Sequence, residues 1–249
     1  MTRRFYIEPA ALNGDAVELP RELAQRLARV LRLQPGAEVV LFDGSGDDVR
    51  VRIDALDERA GRATVIERAP GVPEPRTSVH LYQSIAKGER FEWLLEKATE
   101  LGVARFVPLI TERSVVRTPG EGARIDRWRR IVVEAAEQCG RACLPPVEAP
   151  QPFAKALAGA AGILLLPYEA AGGEAPDIQH ALDADIDALF ALGEVSIFIG
   201  PEGGFTEEEV TSAVDAGATV VTLGRRVLRS ETAGLVASTL VLQATGELG

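Results

Sequence analysis

The feature that most constrains the fold is a repeated succession of strand, glycine-bearing loop and helix at the carboxyl end of the chain. Residues 195–199 form an apolar run typical of a buried parallel strand, and glycines follow within residues 200–204. The pattern then predicts a helix over 206–216, a strand over 219–223 and a last helix over 228–244. Because parallel strands end at the same edge of a sheet, both loops are expected at that edge.

The start of the first of these helices carries a complete local signal. Thr206 is a suitable N-cap, Glu209 closes a capping box, and Phe205 with Val210 would form a hydrophobic staple. The preceding glycines let backbone amides approach a ligand, whereas three glutamates in the first turn repel a phosphate. The segment therefore favours a cationic small molecule over a nucleoside triphosphate. Taken alone, a tight turn without a ligand explains it equally well.

The first 72 residues follow a different pattern. Strand-like runs separated by turn signals predict a small closed or half-closed β-barrel, interrupted by one helix over residues 20–33. The predicted strands cover residues 4–7, 37–42, 48–55 and 62–68. A proline-rich run at 70–75 predicts a stiff linker, so we expect two domains, residues 1–72 and residues 73–249.

The second region alternates strands and helices, as parallel α/β sheets do. We predict strands at 79–85, 103–110 and 163–166 and helices at 89–101 and 125–139, in addition to the elements at the carboxyl end. The expected fold class is therefore α/β with a parallel sheet, preceded by the barrel.

Charge is distributed unevenly along the chain. The net charge is −10, yet residues 142–224 contain one base against 13 acids, a balance of −12. Residues 105–141 hold eight arginines against five acids, and residues 1–32 hold six against four. The chain uses 24 arginines and three lysines, and arginine grips phosphate and stacks on bases. The map permits an RNA partner, although genome composition or heat adaptation gives the same arginine preference.

Several function classes lack their sequence signals. The chain has no Gly-Lys-Ser or Gly-Lys-Thr for a phosphate loop, and Gly44-Ser45-Gly46 lacks the third glycine of a dinucleotide fingerprint. The two cysteines are too few for a structural zinc site, and His80 and His180 lie too far apart in sequence to suggest a shared site. No apolar run approaches the roughly 20 residues of a membrane span, and the first residues do not read as a signal peptide. A cytoplasmic protein with reduced cysteines is expected.

Two motifs near the carboxyl end carry a specific resemblance. They are Gly-Pro-Glu-Gly-Gly at 200–204 and Leu-Gly-Arg-Arg-Val-Leu-Arg-Ser-Glu-Thr-Ala at 223–233. Further matches are Lys-Gly-Glu-Arg at 87–90, Glu-Lys-Ala-Thr-Glu-Leu-Gly-Val at 96–103, Glu-Arg-Ser at 112–114 and Glu-Ala-Ala-Glu-Gln-Cys-Gly-Arg at 134–141. Together they resemble the 16S ribosomal RNA uridine-N3 methyltransferases, the small-subunit methyltransferase E family of the SPOUT superfamily. Many relatives carry a histidine shortly before Val30, where this chain has Gln25-Arg26.

The resemblance implies a PUA-like RNA-binding barrel followed by a SPOUT-type parallel sheet whose carboxyl-terminal part threads a trefoil knot. It also implies S-adenosyl-L-methionine as cofactor, 16S ribosomal RNA of the small subunit as substrate, and a homodimer. No metal is expected, because the sulfonium is already an activated leaving group. No membrane partner is expected either.

The resemblance and the loop positions assign candidate site residues. Arg229 is the candidate for stabilising negative charge on the uridine, and Glu231 and Glu202 are candidates for assisting proton removal. A surface arginine and a helix first-turn acid are the structural alternatives for Arg229 and Glu231. The cofactor is expected to contact Leu166, Ile199, Gly200, Pro201, Gly203, Gly204, Leu223, Gly224, Val227, Leu228, Thr232 and Ala233.

Candidate RNA contacts come from the basic segments. They are Arg32, Lys87, Arg90, Arg113, Arg129, Arg130 and Arg141. Intrachain ion pairs, for example with Glu134 or Glu137, are the structural alternative, most evenly balanced for Arg141. Lys87 would orient RNA or pair with a neighbouring acid.

Three other functions remain open from sequence. One is an RNA-binding module without catalysis, which the intact loop motifs disfavour. A second is a SPOUT methyltransferase acting on another RNA nucleotide. A third is a different α/β enzyme such as an oxidoreductase, which the missing dinucleotide fingerprint weakens.

Overall fold

The structure is a computed structural model that describes residues 3–114 and 121–248. Chain contacts divide the molecule into two compact units. The first comprises residues 1–74 and 133–144, and the second comprises residues 75–132 and 145–249. The domain boundary expected from sequence, between residues 72 and 73, stays a prediction; the contacts add the segment 133–144 to the amino-terminal unit.

The first unit is built on a five-stranded sheet in the order β1-β3-β4-β5-β2. Its strands β1 and β3 are parallel, and the remaining neighbours are antiparallel. The elements are β1 (Arg4–Tyr6), β2 (Ala16–Leu19), α1 (Arg21–Gln25), β3 (Glu38–Phe42), β4 (Asp47–Leu56) and β5 (Gly61–Pro70). The sheet curls into a half-barrel, which confirms the predicted architecture.

Alternation along β4 explains why this sheet has one apolar face. Val49, Val51 and Ile53 are buried, whereas Arg50 and Arg52 between them are exposed. Side chains of a strand point to opposite faces in turn, so the buried set faces the core of the half-barrel. Leu27, in the π-helical turn that continues α1, packs into the same core.

Two expectations for this unit need correction. Strand β2 was not predicted, because its four residues end at Leu19, directly before Pro20, and give too short an alternating run. The proline-rich run was expected to be linker from residue 70 onward. Instead Pro70 pairs with Asp47 as the last residue of β5, and the Gly71 N–H donates to the Gly46 carbonyl at 2.8 Å.

The second unit is an α/β structure on a six-stranded parallel sheet in the order β11-β9-β10-β6-β7-β8. The strands are β6 (Ser78–Ser84), β7 (Arg105–Ile110), β8 (Gln151–Pro152), β9 (Ile163–Pro167), β10 (Glu194–Ile199) and β11 (Thr219–Val221). The helices are α2 (Arg90–Leu101), α3 (Glu121–Cys139), α4 (Phe153–Ala158), α5 (Ile178–Ala184), α6 (Ile186–Leu192), α7 (Glu207–Asp215) and α8 (Ser230–Ala244). The residues of α3 from Val133 onward belong to the first unit.

The predicted parallel sheet is confirmed, and its central strands are buried on both faces. Residues 195–199 of β10 are all buried, because helices cover a doubly wound sheet on each side. Helix α8 packs on β6 and β10 and also contacts α2. Strand β9 lies between β10 and β11, so the loops that follow these three strands leave one edge of the sheet side by side.

The sequence did not predict β8, α4, α5 or α6. These elements have two, six, seven and seven residues, too few to display a period against the alanine- and glycine-rich background of this region. In residues 3–114 and 121–248, none of the helices combines the length and hydropathy that a bilayer crossing requires.

Candidate active site

A cleft of about 260 Å³ opens at the carboxyl ends of β9, β10 and β11 in the second unit. This is the edge where ligands bind in open α/β sheets. Its lining combines apolar walls with two carboxylates and backbone groups. The lining residues are Pro167, Glu169, Ile199, Gly200, Pro201, Glu202, Phe205, Val227, Leu228, Arg229, Ser230 and Ala233.

One wall of the cleft is the loop over residues 200–206, here called the glycine loop. The Gly204 N–H donates to the Pro201 carbonyl at 2.9 Å, closing a tight turn. At its end the Thr206 N–H donates to Glu209 Oε2 at 2.9 Å, and the Glu209 N–H donates to Thr206 Oγ1 at 3.2 Å. The predicted capping box is therefore formed, and it fixes the entry into α7.

A distant arginine also holds the glycine loop. Nη1 of Arg113, which follows β7, donates to the Gly203 carbonyl at 3.0 Å and to the Phe205 carbonyl at 3.3 Å. Phe205 is buried in the core of the second unit, where Val210 also packs, as expected for the predicted staple. The loop is thus anchored both through its backbone and through its one aromatic side chain.

Only one of the two adjacent glycines in this loop requires the absence of a side chain. Gly204 has φ +70°, a left-handed conformation, and an added Cβ would overlap Glu169 Oε1. An added Cβ at Gly203 would lie 3.4 Å from Arg113 Cβ, an ordinary contact. The close approach of backbone and carboxylate therefore depends on Gly204.

The opposite wall is the loop over residues 222–229, here called the arginine loop. The Gly224 N–H donates to Thr222 Oγ1 at 3.2 Å, and the Thr222 N–H donates to the Pro176 carbonyl at 2.9 Å. Beyond that turn the side chains are open to solvent: Val227 is 80% exposed, and Arg229 is exposed as the N-cap residue of α8.

A charged cluster of three side chains lies at the start of α8. The guanidinium of Arg90 is 3.6 Å from Glu202 Oε1 and 3.8 Å from Glu231 Oε1. Glu231 is only 7% exposed, and its Oε2 atom has no hydrogen-bond partner among the described residues. A buried carboxylate oxygen without a donor is energetically costly, so the cluster holds Glu231 through its other oxygen alone.

The cleft fits a cationic cofactor with an apolar body. Ile199, Leu228 and Ala233 offer apolar surface, whereas Glu169 and Glu202 place carboxylates at the same cleft. Carboxylates stabilise a sulfonium and repel a phosphate. A larger cleft of about 420 Å³ lies between α4 and α7, but none of the expected cofactor residues lines it. The smaller cleft is thus the one that the predicted cofactor residues line.

Twelve residues from three strand ends and α8 line the cleft, and eight of them are among the site residues predicted from sequence. These eight are Ile199, Gly200, Pro201, Glu202, Val227, Leu228, Arg229 and Ala233. Leu166 is buried in the core of the unit, and Gly203, Gly204, Leu223, Gly224, Glu231 and Thr232 do not line the cleft directly. The sequence missed Pro167, Glu169, Phe205 and Ser230. The available signal was their position: Pro167 and Glu169 lie at the end of β9, Phe205 directly follows the motif at 200–204, and Ser230 lies in the motif at 223–233.

The candidate RNA contacts fall into two groups. In the first group, intrachain contacts hold the side chain: Arg113 is bound to the glycine loop, and Arg141 is 7% exposed and forms an ion pair with Glu74.

The second group is exposed. Arg129 and Arg130 lie on the surface of α3, and their described contacts are with Asp126 of the same helix. Arg32 and Lys87 are exposed, and so is Arg90 of the charged cluster at the start of α8. Arg117 of the basic segment lies outside the described residues. Glu137 does pair with an arginine, Arg26, at 2.7 Å.

The described residues include no group of histidines, cysteines and carboxylates arranged to hold a metal ion.

Comparison with known proteins gives consistent results. A family described as an RNA methyltransferase domain matches residues 73–242, and one described as an RNA methyltransferase PUA domain matches residues 27–66. The chain is 34% identical to the ribosomal RNA small subunit methyltransferase E of Synechocystis sp., covering 95% of this chain and 76% of that protein. Identity to the protein of that name from Mycobacterium bovis is also 34%, over 94% and 88% of the two chains. The crystal structure of a ribosomal RNA small subunit methyltransferase E from Neisseria gonorrhoeae bound to S-adenosyl methionine superposes with a TM-score of 0.85, at 33% identity and over 98% of each chain.

Proposed function

The chain belongs to the ribosomal RNA small subunit methyltransferase E family, and we propose that it transfers a methyl group from S-adenosylmethionine to N3 of a uridine in 16S ribosomal RNA. The observation that carries the proposal is the cleft between the glycine loop and the arginine loop. It joins apolar walls, two carboxylates and an exposed arginine at the carboxyl edge of a parallel sheet.

The residues of the cleft divide the work of holding the cofactor. Ile199, Leu228 and Ala233 would contact the apolar body, and Glu169 and Glu202 would face the positive charge. When bound, S-adenosylmethionine supplies a methyl group activated by its sulfonium.

The substrate atom needs help from the protein. Uridine N3 carries a proton at neutral pH and is a weak nucleophile until that proton leaves. Arg229 lines the cleft and would stabilise the negative charge that spreads onto O2 and O4 as the proton departs. Glu202 lines the cleft, and Glu231 lies in the cluster with Arg90, so both would assist proton removal.

RNA would bind to surfaces other than the acidic stretch at residues 142–224. RNA is a polyanion, and binding it releases counterions as arginines neutralise phosphates. Arg129 and Arg130 project from α3 into solvent, and Arg32 and Lys87 are exposed, so these four are the candidates with free access. We propose that RNA binds to the barrel, residues 1–72, and to the basic segment 105–141. The catalytic domain comprises residues 73–249, which include that basic segment.

Three further features of the proposal come from the family. They are a trefoil knot in the carboxyl-terminal part, a cytoplasmic location and a homodimer. The half-buried apolar residues Leu235, Val236 and Leu240 of α8 support the homodimer, because they leave a second apolar stripe beside the one packed on the sheet. Sedimentation that gives a 26.6 kDa species at micromolar concentration would contradict it.

One experiment tests the reaction directly. Small ribosomal subunits are incubated with the protein and with S-adenosylmethionine that carries a labelled methyl group, and the RNA is digested to nucleosides. We expect the label in 3-methyluridine. Label in another nucleoside would indicate a methyltransferase of different specificity. RNA that binds but stays unlabelled would indicate a binding module without catalysis.

A further inference from the structure

A buried hydrogen-bonded chain connects β6 to the start of α8 and to the glycine loop. Nε2 of Gln83 lies 2.8 Å from Ser230 Oγ, and Ser230 Oγ lies 2.6 Å from the carbonyl oxygen of Gly200. Gln83 is the penultimate residue of β6 and is 2% exposed. Ser230 and Gly200 line the cleft, whereas Gln83 stands behind them and does not.

The chemistry of the three groups fixes the direction of this chain. The Gly200 carbonyl only accepts, so the single hydroxyl proton of Ser230 must point to it. The Ser230 oxygen can then only accept from Gln83, which requires the amide nitrogen of Gln83 to face it. Gln83 therefore donates to Ser230, Ser230 donates to Gly200, and the Gly200 carbonyl is the final acceptor.

The surroundings leave the amide little freedom to turn. Oε1 of Gln83 is buried and has no hydrogen-bond partner among the described residues, and an added Cβ at Gly234 of α8 would overlap it. Rotation of the amide would replace the donor by this oxygen and break the chain at Ser230. The unpartnered oxygen is the cost of presenting the nitrogen to the serine.

The consequence is a fixed relation between the two walls. Ser230 is the first residue of α8 and follows Arg229, while Gly200 is the first residue of the glycine loop. Their hydrogen bond sets the distance between the start of α8 and the end of β10, and Gln83 holds the serine in the rotamer that makes it. We infer that Gln83 is a positioning residue that acts through Ser230 to hold the cleft in its cofactor-binding form. The inference rests on the proposed function, because it takes S-adenosylmethionine as the ligand.

The sharpest test is Gln83→Glu, which preserves shape and reverses the hydrogen bonding. An ionised glutamate cannot donate, so the Ser230 proton turns to it and the Gly200 carbonyl loses its donor. We expect calorimetry at pH 8 to show binding of S-adenosylmethionine roughly 5- to 20-fold weaker than in the native protein. The rate of transfer at saturating cofactor should change much less, so the effect appears mainly in KM.

Acidification gives a signature that packing alone would not produce. A protonated glutamate can donate to Ser230 again, and burial raises the pKa of a carboxyl group. The affinity of the Gln83→Glu protein, relative to the native protein at each pH, should therefore recover as the pH is lowered. Gln83→Met, which lacks a donor at every pH, should show the loss without the recovery. Gln243→Glu, the same change at an exposed position of α8, is the matched control and should leave affinity unchanged.

The outcomes distinguish the proposed function from the role of Gln83. Native protein that does not bind S-adenosylmethionine would contradict the proposed function. Native protein that binds it, together with a folded Gln83→Glu protein of equal affinity, would overturn only the role of Gln83. Should Gln83→Glu fail to fold, Ser230→Ala carries the test, because it removes the same bond to Gly200 from an otherwise unchanged core. A Ser230→Ala protein with native affinity would overturn the inference.

Discussion

The two walls of the cleft are built in different ways. The glycine loop is held by its own turn, by the capping box of α7 and by two hydrogen bonds from Arg113. The arginine loop has a single short turn at Thr222 among its described hydrogen bonds, and Val227 beyond it is 80% exposed. One wall is fixed by several hydrogen bonds, and the other has few of them and presents exposed side chains.

This difference suggests a division between affinity and chemistry. A preorganised wall avoids the cost of ordering on binding, so changes in the glycine loop should appear in cofactor affinity. An arginine on the opposite wall that meets the substrate only as charge develops should affect the rate instead.

The largest effect is expected for Arg229→Ala in the arginine loop. Loss of a group that stabilises the developing anion should lower the single-turnover transfer rate by roughly 10²- to 10³-fold. Cofactor affinity should change by less than about threefold, because the side chain is exposed. Single-turnover kinetics and calorimetry measure the two quantities. Arg225→Ala, an exposed arginine of the same loop, is the control, and an Arg229→Ala protein with the native rate would remove the catalytic role.

The next effect is expected in the glycine loop and concerns its two adjacent glycines. Gly204→Ala forces a side chain into a left-handed conformation at φ +70° and against the Glu169 carboxylate, which costs about 1–3 kcal/mol. We expect S-adenosylmethionine binding to weaken roughly 5- to 100-fold, with a smaller change in the transfer rate at saturation. Gly203→Ala has room for its Cβ and should bind nearly as the native protein does. Equal losses in both proteins would show that the loop is not held as described.

The glycine loop also shows which parts of the site a sequence can reveal. The capping box at Thr206 and Glu209 was predictable because its residues are three apart and interact through a local backbone geometry. Arg113 contacts Gly203 across 90 residues of chain, so the sequence could only describe it as an arginine in a basic segment. The pairing of Arg141 with Glu74 is likewise set by the fold. The same holds for Gln83, whose role exists only once β6 lies beside β10.

The helices and strands of the fold were easier to predict from the sequence than these contacts. Long amphipathic helices such as α2 are recognisable from the spacing of their apolar residues, and buried strands such as β10 from their apolar composition. Strand order is not, because nothing local in β9 indicates that it lies between β10 and β11. The position of Glu169 in the cleft follows from that order and was therefore missed.

A smaller effect distinguishes two roles for Arg113. Because its guanidinium donates to the Gly203 and Phe205 carbonyls, Arg113→Ala should weaken S-adenosylmethionine binding about 3- to 10-fold. The exposed Arg130 of α3 provides the contrast: Arg130→Ala should leave cofactor affinity unchanged and weaken RNA binding. It should also reduce the slope of log affinity against log salt by about 1. An Arg113→Ala protein that binds the cofactor with native affinity, but whose RNA affinity depends less steeply on salt, would show that Arg113 contacts RNA instead.

The smallest effect concerns the opposite edge of the sheet, near the amino-terminal ends of the strands. His80 of β6 lies opposite Ser196 of β10 and Arg105 of β7 in the sheet. Burial lowers the pKa of His80 below the ordinary value of 6.5. Arg105 lowers the pKa further, and Glu194 and Glu148 oppose the shift in part. The imidazole is therefore kept neutral in the folded protein at a pH where the unfolded chain already binds a proton.

The sign of the pH dependence follows from that difference. As the pH falls through 6.5 toward the lower folded pKa, the unfolded state takes up a proton that the folded state refuses, so His80 makes the free energy of unfolding decrease. His80→Gln should flatten this decrease in urea denaturation between pH 8 and pH 5.5. His180 is exposed and its pKa is raised by Asp177, so its contribution has the opposite sign and His180→Gln should steepen the decrease. Because His80 lies at the edge away from both loops, His80→Gln should leave the affinity for S-adenosylmethionine unchanged at each pH; a pH-dependent change in that affinity would show that the two edges of the sheet are coupled.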